Sequence, residues 1–276
     1  MKLPIYSIGS GDEIVLIHGI ISDAAFFDEL SIKLGNEFKV VSYDRRGYGN
    51  ADKPADNDYS VAAQAEDAKE VIESTAQGPV YIVGNSAGAI ISIELALRYP
   101  KLVKGLILIE PSIPYDDASE DKMMAWNREL NGYIEAGTIR KALPAFAKVI
   151  EGNKESVSDM PGSKIPNSKK MNMAEIKRTY SNLDNFMFGE LNEVQLYRPS
   201  IEQLRNINVP VKVFVTSNSK NCLFREISEN SANKLGWEVV EIIGNHNALN
   251  NRPDSSYEAI KYLITELKNG SQMCKI

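Results

Sequence analysis

A glycine-flanked serine is the first group in this sequence whose setting suits covalent chemistry. Ser86 lies in the segment 84–88 (Gly-Asn-Ser-Ala-Gly), between an apolar run that predicts a strand and a run that predicts a helix. A sharp strand-to-helix turn forces its central residue into an unfavourable backbone conformation. Glycines two positions before and after the serine relieve the collisions that such a turn creates. A hydroxyl held at this turn, beside a helix N-terminus, is suited to nucleophilic attack.

The sequence contains two histidines, and one of them is a candidate base for Ser86. His18 directly follows an apolar run, whereas His246 lies after the last predicted strand and before the last predicted helix. Open α/β folds place their sites at the carboxyl edge of the sheet, so we expect His246 there. A neutral imidazole takes a proton from a hydroxyl and later returns it to a leaving group. We therefore predict that Ser86 is the nucleophile and that His246 is the base.

Apolar strands alternate with helices in two parts of the chain, and this alternation is typical of an α/β fold with a parallel sheet. Strands are predicted at 5–8, 14–17, 38–43, 80–83, 105–109, 211–215 and 237–243. Helices are predicted at 24–34, 60–72, 87–99 and 255–267, with further helices at 118–136, 139–150 and 173–188. We accordingly predict a core formed by residues 1–112 and 201–276, interrupted by a mainly helical cap at 113–200. The polar stretch 151–172 predicts a mobile connection within that cap.

Composition narrows the class of protein. The chain has 276 residues, 43% of them hydrophobic, and a formal net charge of −6. No basic run favours nucleic acid or an anionic membrane surface, and no apolar stretch is long enough to cross a bilayer. Cys222 and Cys274 do not predict a disulfide framework, and residues 1–7 lack the apolar run of a signal peptide. We predict a cytoplasmic monomer or homodimer that acts on a small molecule.

Taken together, four segments resemble the α/β-hydrolase family with a helical cap. They are His18-Gly19, residues 44–49 (Asp-Arg-Arg-Gly-Tyr-Gly), the serine segment 84–88 and His246. They occur in the family's order and span nearly the whole chain apart from the cap. The resemblance implies a mostly parallel, eight-stranded sheet flanked by helices, in which His18-Gly19 follows the third strand.

The resemblance also implies roles for particular groups. The oxyanion site would use the backbone N–H groups of Ala87 and Ile20, which stabilise charge developing on a carbonyl oxygen without having to reorganise. Four other polar residues are expected to fix loops rather than to contact substrate: His18, Asp44, Arg45 and Arg46.

The third catalytic group departs from the family's pattern. The family usually supplies an aspartate after the seventh strand, but here Thr216–Asn221 contains no carboxylate. Some relatives supply the acid at the end of the sixth strand, where this chain has Glu110. An acid at that place sets the tautomer of the base and stabilises the imidazolium. We predict Glu110 as this acid, and the alternatives are Asp116, Asp117, or a pair oriented by Asn218 or water.

The predicted activity is that of a serine esterase that hydrolyses a small apolar ester through an acyl-enzyme. Two alternatives remain: a small-molecule binding protein or receptor on the same fold with little turnover, and an enzyme with different chemistry, such as amide or carbon–carbon bond hydrolysis or a haloperoxidase-like side activity. No phosphate-binding loop or metal-ligand cluster is visible in the sequence, so no cofactor is predicted. Apolar side chains of the cap are expected to pack the lid, and none is assigned to substrate: Met123, Met124, Trp126, Met171, Met173, Phe186, Met187 and Phe188.

Overall fold

The computed structural model describes residues 1–151 and 173–273, which build an α/β fold around one sheet. Within these residues the sheet has seven strands in the order β1-β3-β2-β4-β5-β6-β7. The strands are β1 Ile5–Ile8, β2 Glu13–Ile17, β3 Lys39–Tyr43, β4 Val80–Asn85, β5 Val103–Ile109, β6 Val211–Thr216 and β7 Glu238–Ile242. β1 pairs antiparallel with β3, and every other pairing is parallel.

The predicted number of eight strands is therefore wrong for the described residues. β1 forms one edge of the sheet, and no residue before Ile5 is in a strand. As a consequence, His18-Gly19 follows the second strand of this sheet rather than the third. The mostly parallel architecture itself is confirmed. All residues of β4 and β6 are buried, as expected for strands that are covered by helices on both faces.

Strand register brings the carboxyl ends of the central strands together. Asn85 at the end of β4 pairs with Ile109 at the end of β5, and Ile109 pairs with Phe214 of β6. The residues that follow these strands therefore lie next to each other at one edge of the sheet. This edge is where Ser86 and Glu110 are placed.

Helices cover both faces of the sheet, and their bounds are close to those predicted. The core helices are α1 Asp28–Leu34, α2 Val61–Thr75, α3 Ala87–Arg98, α8 Ile201–Arg205, α9 Leu223–Leu235, α10 Ala248–Asn251 and α11 Pro253–Met273. The Ser60 side chain accepts a hydrogen bond from the Ala63 N–H at 3.2 Å and so caps α2. The helix predicted at 24–34 is divided, because a 3₁₀ turn at Ala24–Phe27 precedes α1.

Between β5 and β6 the described residues are helical. They form α4 Asp117–Glu135, α5 Ala142–Glu151, α6 Met173–Asn185, a π-helical turn at Phe186–Glu190 and α7 Leu191–Gln195. The boundaries of the cap at 113 and 200 stay a prediction. The connection predicted at 151–172 lies, apart from Glu151, outside the described residues, as does Cys274.

Two apolar clusters pack on the opposite faces of the sheet. One joins α2, α3 and α9 to the cap and contains Trp126, Phe186 and Phe224. The other lies beneath α1 and α11. Because the first cluster is shared, the cap helices pack directly on the core beside the carboxyl edge of the sheet. Among the helices of residues 1–151 and 173–273, none combines the length and apolarity that crossing a bilayer requires.

Candidate active site

Ser86 occupies a strained turn between β4 and α3. Its backbone has φ 55° and ψ −116°, a conformation that costs a non-glycine residue about 1–3 kcal/mol. A Cβ at Gly84 would lie 2.6 Å from the Gly88 carbonyl oxygen, and one at Gly88 would lie 2.1 Å from the Ile17 carbonyl oxygen. Both glycines are therefore needed for the close approach of α3 to the strands, as the sequence predicted.

Glu110 follows β5 and contacts His246. The Nδ1 atom of His246 lies 2.5 Å from Oε2 of Glu110, and both side chains are buried. The other carboxylate oxygen, Oε1, accepts hydrogen bonds from the Thr216 N–H at 3.0 Å, the Thr216 hydroxyl at 2.8 Å and the Ser219 hydroxyl at 2.7 Å. Every contact of this carboxylate favours its ionised form, so Glu110 orients the imidazole ring as an anion.

The electrostatics of Glu110 agree with this geometry. Burial raises the pKa of the Glu110 carboxyl. The hydrogen bond and the charge of His246, together with the hydroxyls of Ser219 and Thr216, lower the pKa by more than burial raises it. The net result is a pKa below its ordinary value, because three donors and an imidazole outweigh the loss of hydration. Glu110 therefore stays ionised through the mildly acidic range.

The other acids and amides considered from the sequence lie elsewhere. Asp116 caps α4 by accepting from the Ser119 N–H at 2.9 Å, and Asp117 is exposed in the first turn of that helix. The Asn218 side chain accepts a hydrogen bond from the Ser217 hydroxyl at 3.2 Å. None of these three side chains hydrogen-bonds to His246 in the described structure.

Sequence reasoning missed the groups that hold Glu110. Thr216 and Ser219 lie in the segment that lacks a carboxylate, and a hydroxyl in a sequence does not by itself predict a partner for a buried acid. Thr216 is the last residue of the buried strand β6, Ser219 follows it by three residues, and β6 pairs with β5, the strand that precedes Glu110; this position is the pattern that identifies them.

Ser86 and His246 line the same wide cavity. Its volume is about 470 Å³, and it is lined by both of these residues and by the loop 19–22. A narrower cavity also includes Ser86, together with Ile20 and Ala87. Within the described residues, the backbone N–H groups of Ile20 and Ala87 donate to no protein acceptor. Two free N–H groups beside the serine can bind an oxyanion.

His18 has a different environment from His246. Its Nδ1 donates to the Gly19 carbonyl at 2.8 Å, and its Nε2 accepts from the Arg45 N–H at 3.1 Å. Burial, reinforced by the Arg45 charge, lowers the pKa of His18 well below its ordinary value. The ring is therefore neutral and links two loops, which agrees with the structural role expected for it.

The three charged residues of segment 44–49 also bind loops. Asp44 accepts from the N–H groups of Ala24 and Asn50, both at 2.9 Å. Arg46 forms a buried pair with Asp67, with its Nε 2.6 Å from the carboxylate. Arg45 donates to the Gly19 carbonyl at 2.9 Å and forms a buried pair with Glu190 of the π-helical turn.

The sequence and the structure establish the family. This chain belongs to the alpha/beta hydrolase fold family, whose sequence model matches residues 13–151, half of the chain. The chain is 37% identical over 102 residues to a 2-(acetamidomethylene)succinate hydrolase of Mesorhizobium japonicum. That match covers 37% of this chain and only 36% of the relative.

Two further likenesses extend over most of the chain. An uncharacterized hydrolase of Bacillus subtilis, YraK, is 27% identical over 243 residues, which are 86% of this chain and 83% of that protein. A carboxylesterase structure from Nitrososphaera gargenis superimposes with a TM-score of 0.69 and 17% identity, covering 97% of this chain and 96% of that one. Identity at this level establishes a shared fold.

Proposed function

We propose that the protein is a serine hydrolase that cleaves small esters. The observation that carries this proposal is the contact of Glu110 with Nδ1 of His246, in a cavity that His246 shares with Ser86. With Nδ1 engaged, Nε2 is the ring nitrogen left to receive a proton from the serine hydroxyl. The family membership and the carboxylesterase of the same fold support the same chemistry.

The mechanism follows from these positions. The Ser86 oxygen attacks the ester carbonyl while its proton moves to Nε2 of His246, and Glu110 stabilises the imidazolium that forms. The N–H groups of Ile20 and Ala87 bind the oxyanion of the tetrahedral intermediate. His246 then returns the proton to the leaving alcohol, which departs and leaves an acyl-serine. Water, deprotonated by His246, attacks this acyl-serine; the carboxylic acid departs as His246 returns the proton to the Ser86 oxygen, which restores the enzyme.

Amide hydrolysis is a second candidate. A relative that is 37% identical over 102 residues is named for a substrate with an acetamido group. The same groups serve both reactions, because each passes through a tetrahedral oxyanion and a protonated leaving group. A matched pair of substrates, phenyl acetate and acetanilide, separates the two activities.

The alternative of a binding protein with little turnover depended on a missing acid. Glu110 lies within hydrogen-bond distance of His246, so that reason no longer applies. This alternative would be supported if the protein bound small molecules but released no alcohol from any ester.

Rapid mixing with a chromogenic acetate ester tests the proposal. We expect a burst of leaving group equal to the enzyme concentration if deacylation is the slower step, and steady turnover otherwise. Ser86→Ala should lower turnover by at least about 10³-fold, because nothing else supplies the nucleophile. Ser92→Ala is the matched control: Ser92 is a buried serine of α3, the helix that follows Ser86, and its hydroxyl donates to the Gly88 carbonyl at 2.6 Å. Equal activity of Ser86→Ala and Ser92→Ala would overturn the proposal.

A further inference from the structure

Two cavities meet at Ser86, and their linings assign them to different parts of an ester. The wider one contains His246, the group that would protonate a leaving alcohol, along with Asn85, Asn247 and Asn250. The narrower one contains Ala87, one of the two N–H donors proposed for the oxyanion, whereas Ile20, the other donor, lines both cavities. Because the leaving group must face the proton donor, the narrower cavity is the place for the acyl group.

The narrower cavity has room for an acyl group of a few atoms. Its volume is about 30 Å³. A cavity measured in this way needs about 10–15 Å³ to hold one water molecule, so this one has room for about two such groups. A two-carbon or three-atom acyl chain fits that space.

Three polar atoms at this cavity lack partners. Trp126 and Gln195 both line it and are only 6% and 5% exposed. The indole Nε1 of Trp126 and both amide atoms of Gln195 are buried and have no hydrogen-bond partner among the described residues. In contrast, the hydroxyl of Ser112, which also lines the cavity, donates to the Glu110 carbonyl at 2.9 Å. Buried polar atoms are nearly always paired in native proteins, so these three unpaired atoms indicate that a ligand binds here.

The side chains that carry these atoms are held in place. The Trp126 ring packs edge-on against Phe146 and Phe224, with centroids 5.3 and 5.1 Å apart respectively. Phe224 in turn lies 5.3 Å from the His246 ring, centroid to centroid. Gln195 is the last residue of α7 and is buried on the same side of the cap. The Trp126 indole is therefore held by ring contacts that lead through Phe224 to His246, and Gln195 is buried in the lining of the same cavity.

We infer that Gln195 and Trp126 select a short acyl group that carries a hydroxyl or an equivalent polar group. An amide side chain offers one acceptor and two donors, whereas an indole offers one donor. A hydroxyl on the acyl chain donates to the Gln195 carbonyl oxygen and accepts from its amide or from Trp126. This inference rests on the proposed ester hydrolysis and changes the expected acyl group from an apolar to a polar one.

Methyl hydroxyacetate and methyl propanoate test the inference, because they differ only by a hydroxyl in place of a methyl group. We compare kcat/KM for the two esters, each divided by the rate of the same ester with hydroxide to remove intrinsic reactivity. The wild type should favour hydroxyacetate by about 10–100-fold, because a site built to bond a hydroxyl rejects the analogue that lacks it. Gln195→Leu should bring this ratio to about 1 or below, and Trp126→Phe should lower it in part.

Met123→Leu is the matched control. Met123 lines the same cavity and carries no unpaired polar atom, so the ratio should not change. A wild-type ratio near 1, or a ratio that Gln195→Leu and Trp126→Phe leave unchanged, would overturn the inference and indicate that water pairs these atoms.

Binding of the product acids keeps the test independent of turnover. Hydroxyacetate should raise the melting temperature of the wild type more than propanoate does, and Gln195→Leu should remove this difference. If neither ester is hydrolysed, the proposed function fails, whereas the melting temperatures still decide the role of Gln195. Equal shifts with the two acids in the wild type would contradict that role.

Discussion

Two buried carboxylates, Glu110 and Glu190, each lie beside one of the two histidine loops, and their partners differ. Glu110 contacts His246 and accepts from the Thr216 and Ser219 hydroxyls. Glu190 forms an ion pair with Arg45 and accepts from the Gln64 amide at 2.8 Å and from the Tyr48 hydroxyl. The first carboxylate faces an imidazole, which can take up and release a proton, and the second faces a permanent cation.

The difference separates the proposed chemical cluster, around Glu110 and His246, from a structural cluster around Glu190 and Arg45. Burial lowers the pKa of Arg45, but the Glu190 charge and the neighbouring tyrosines outweigh it and raise the pKa, so Arg45 stays charged at any pH of interest. Glu190 lies in the helical segment between β5 and β6, and Arg45 lies in the loop after β3, so their contact joins these two parts of the chain. Arg45 also donates to the Gly19 carbonyl, next to Ile20. The structural cluster thereby supports the loop that carries a proposed oxyanion donor.

Glu110→Gln is the substitution with the largest expected effect on the chemical cluster. The amide keeps the shape of the side chain but removes the charge that stabilises the imidazolium. Turnover should fall by up to about 10⁴-fold, the loss that the equivalent exchange produces in a serine protease. Steady-state kinetics measure it, and near-ultraviolet circular dichroism checks that the fold is intact. Turnover within twofold of the wild type would remove Glu110 from the mechanism.

Glu190→Gln should instead act on stability. It leaves the buried Arg45 charge without its counter-ion, which costs about 3–5 kcal/mol in the free energy of unfolding. Urea unfolding measures this loss. The double variant Arg45→Met with Glu190→Leu should cost less than the sum of the two single changes, because neither charge is then left alone. Additive losses would show that the pair is not coupled.

His18→Gln sharpens the contrast between the two histidines. Folded His18 is neutral because its pKa lies well below the ordinary value, whereas unfolded His18 takes up a proton below pH of about 6.5. The unfolded state then binds more protons, so the free energy of unfolding falls as the pH falls, by up to about 1.4 kcal/mol per pH unit. The variant lacks this contribution. Its unfolding free energy, measured at pH 7 and pH 5, should decline less than that of the wild type; equal declines would contradict a neutral His18.

Lys122→Met has the smallest expected effect and is the control for the buried pair. Lys122 of the cap lies 2.5 Å from Glu226 of α9, and the two side chains are 50% and 45% exposed. Exposed pairs contribute about 0–1 kcal/mol, so the free energy of unfolding should change by no more than this. A loss as large as that of Glu190→Gln would mean that any ion pair between cap and core holds them together, whether buried or exposed.

Much of the fold could be predicted because its strands are continuous apolar runs. The segments 80–83 and 211–215 have no polar interruption except Lys212, and both form strands that are buried on two faces. The number of eight strands comes from the resemblance to the family and not from the hydrophobic pattern of this chain, and it was wrong. The sequence did not predict the π-helical turn at Phe186–Glu190, because its residues differ little from those of an α-helix.

The candidate site was only partly accessible to sequence reasoning. Ser86, His246 and Glu110 each follow or precede a strand, so chain order places them at one edge of the sheet. Gln195 lies in a helix of the cap, and only the packing of α7 against α4 decides that its amide is buried at the cavity. Similarly, Glu190 reads as an ordinary helix residue until the fold brings it to Arg45 across the chain.

Covalent trapping of the serine is the most direct test of the central claim that Ser86 is activated by His246. The wild type is incubated with a fluorophosphonate, and the modified peptide is identified by mass spectrometry. The account predicts one adduct, on Ser86, that Ser92→Ala retains and that Ser86→Ala and His246→Gln lose or form far more slowly. Labelling of Ser86→Ala at the wild-type rate, or a wild-type protein without an adduct on Ser86, would contradict it.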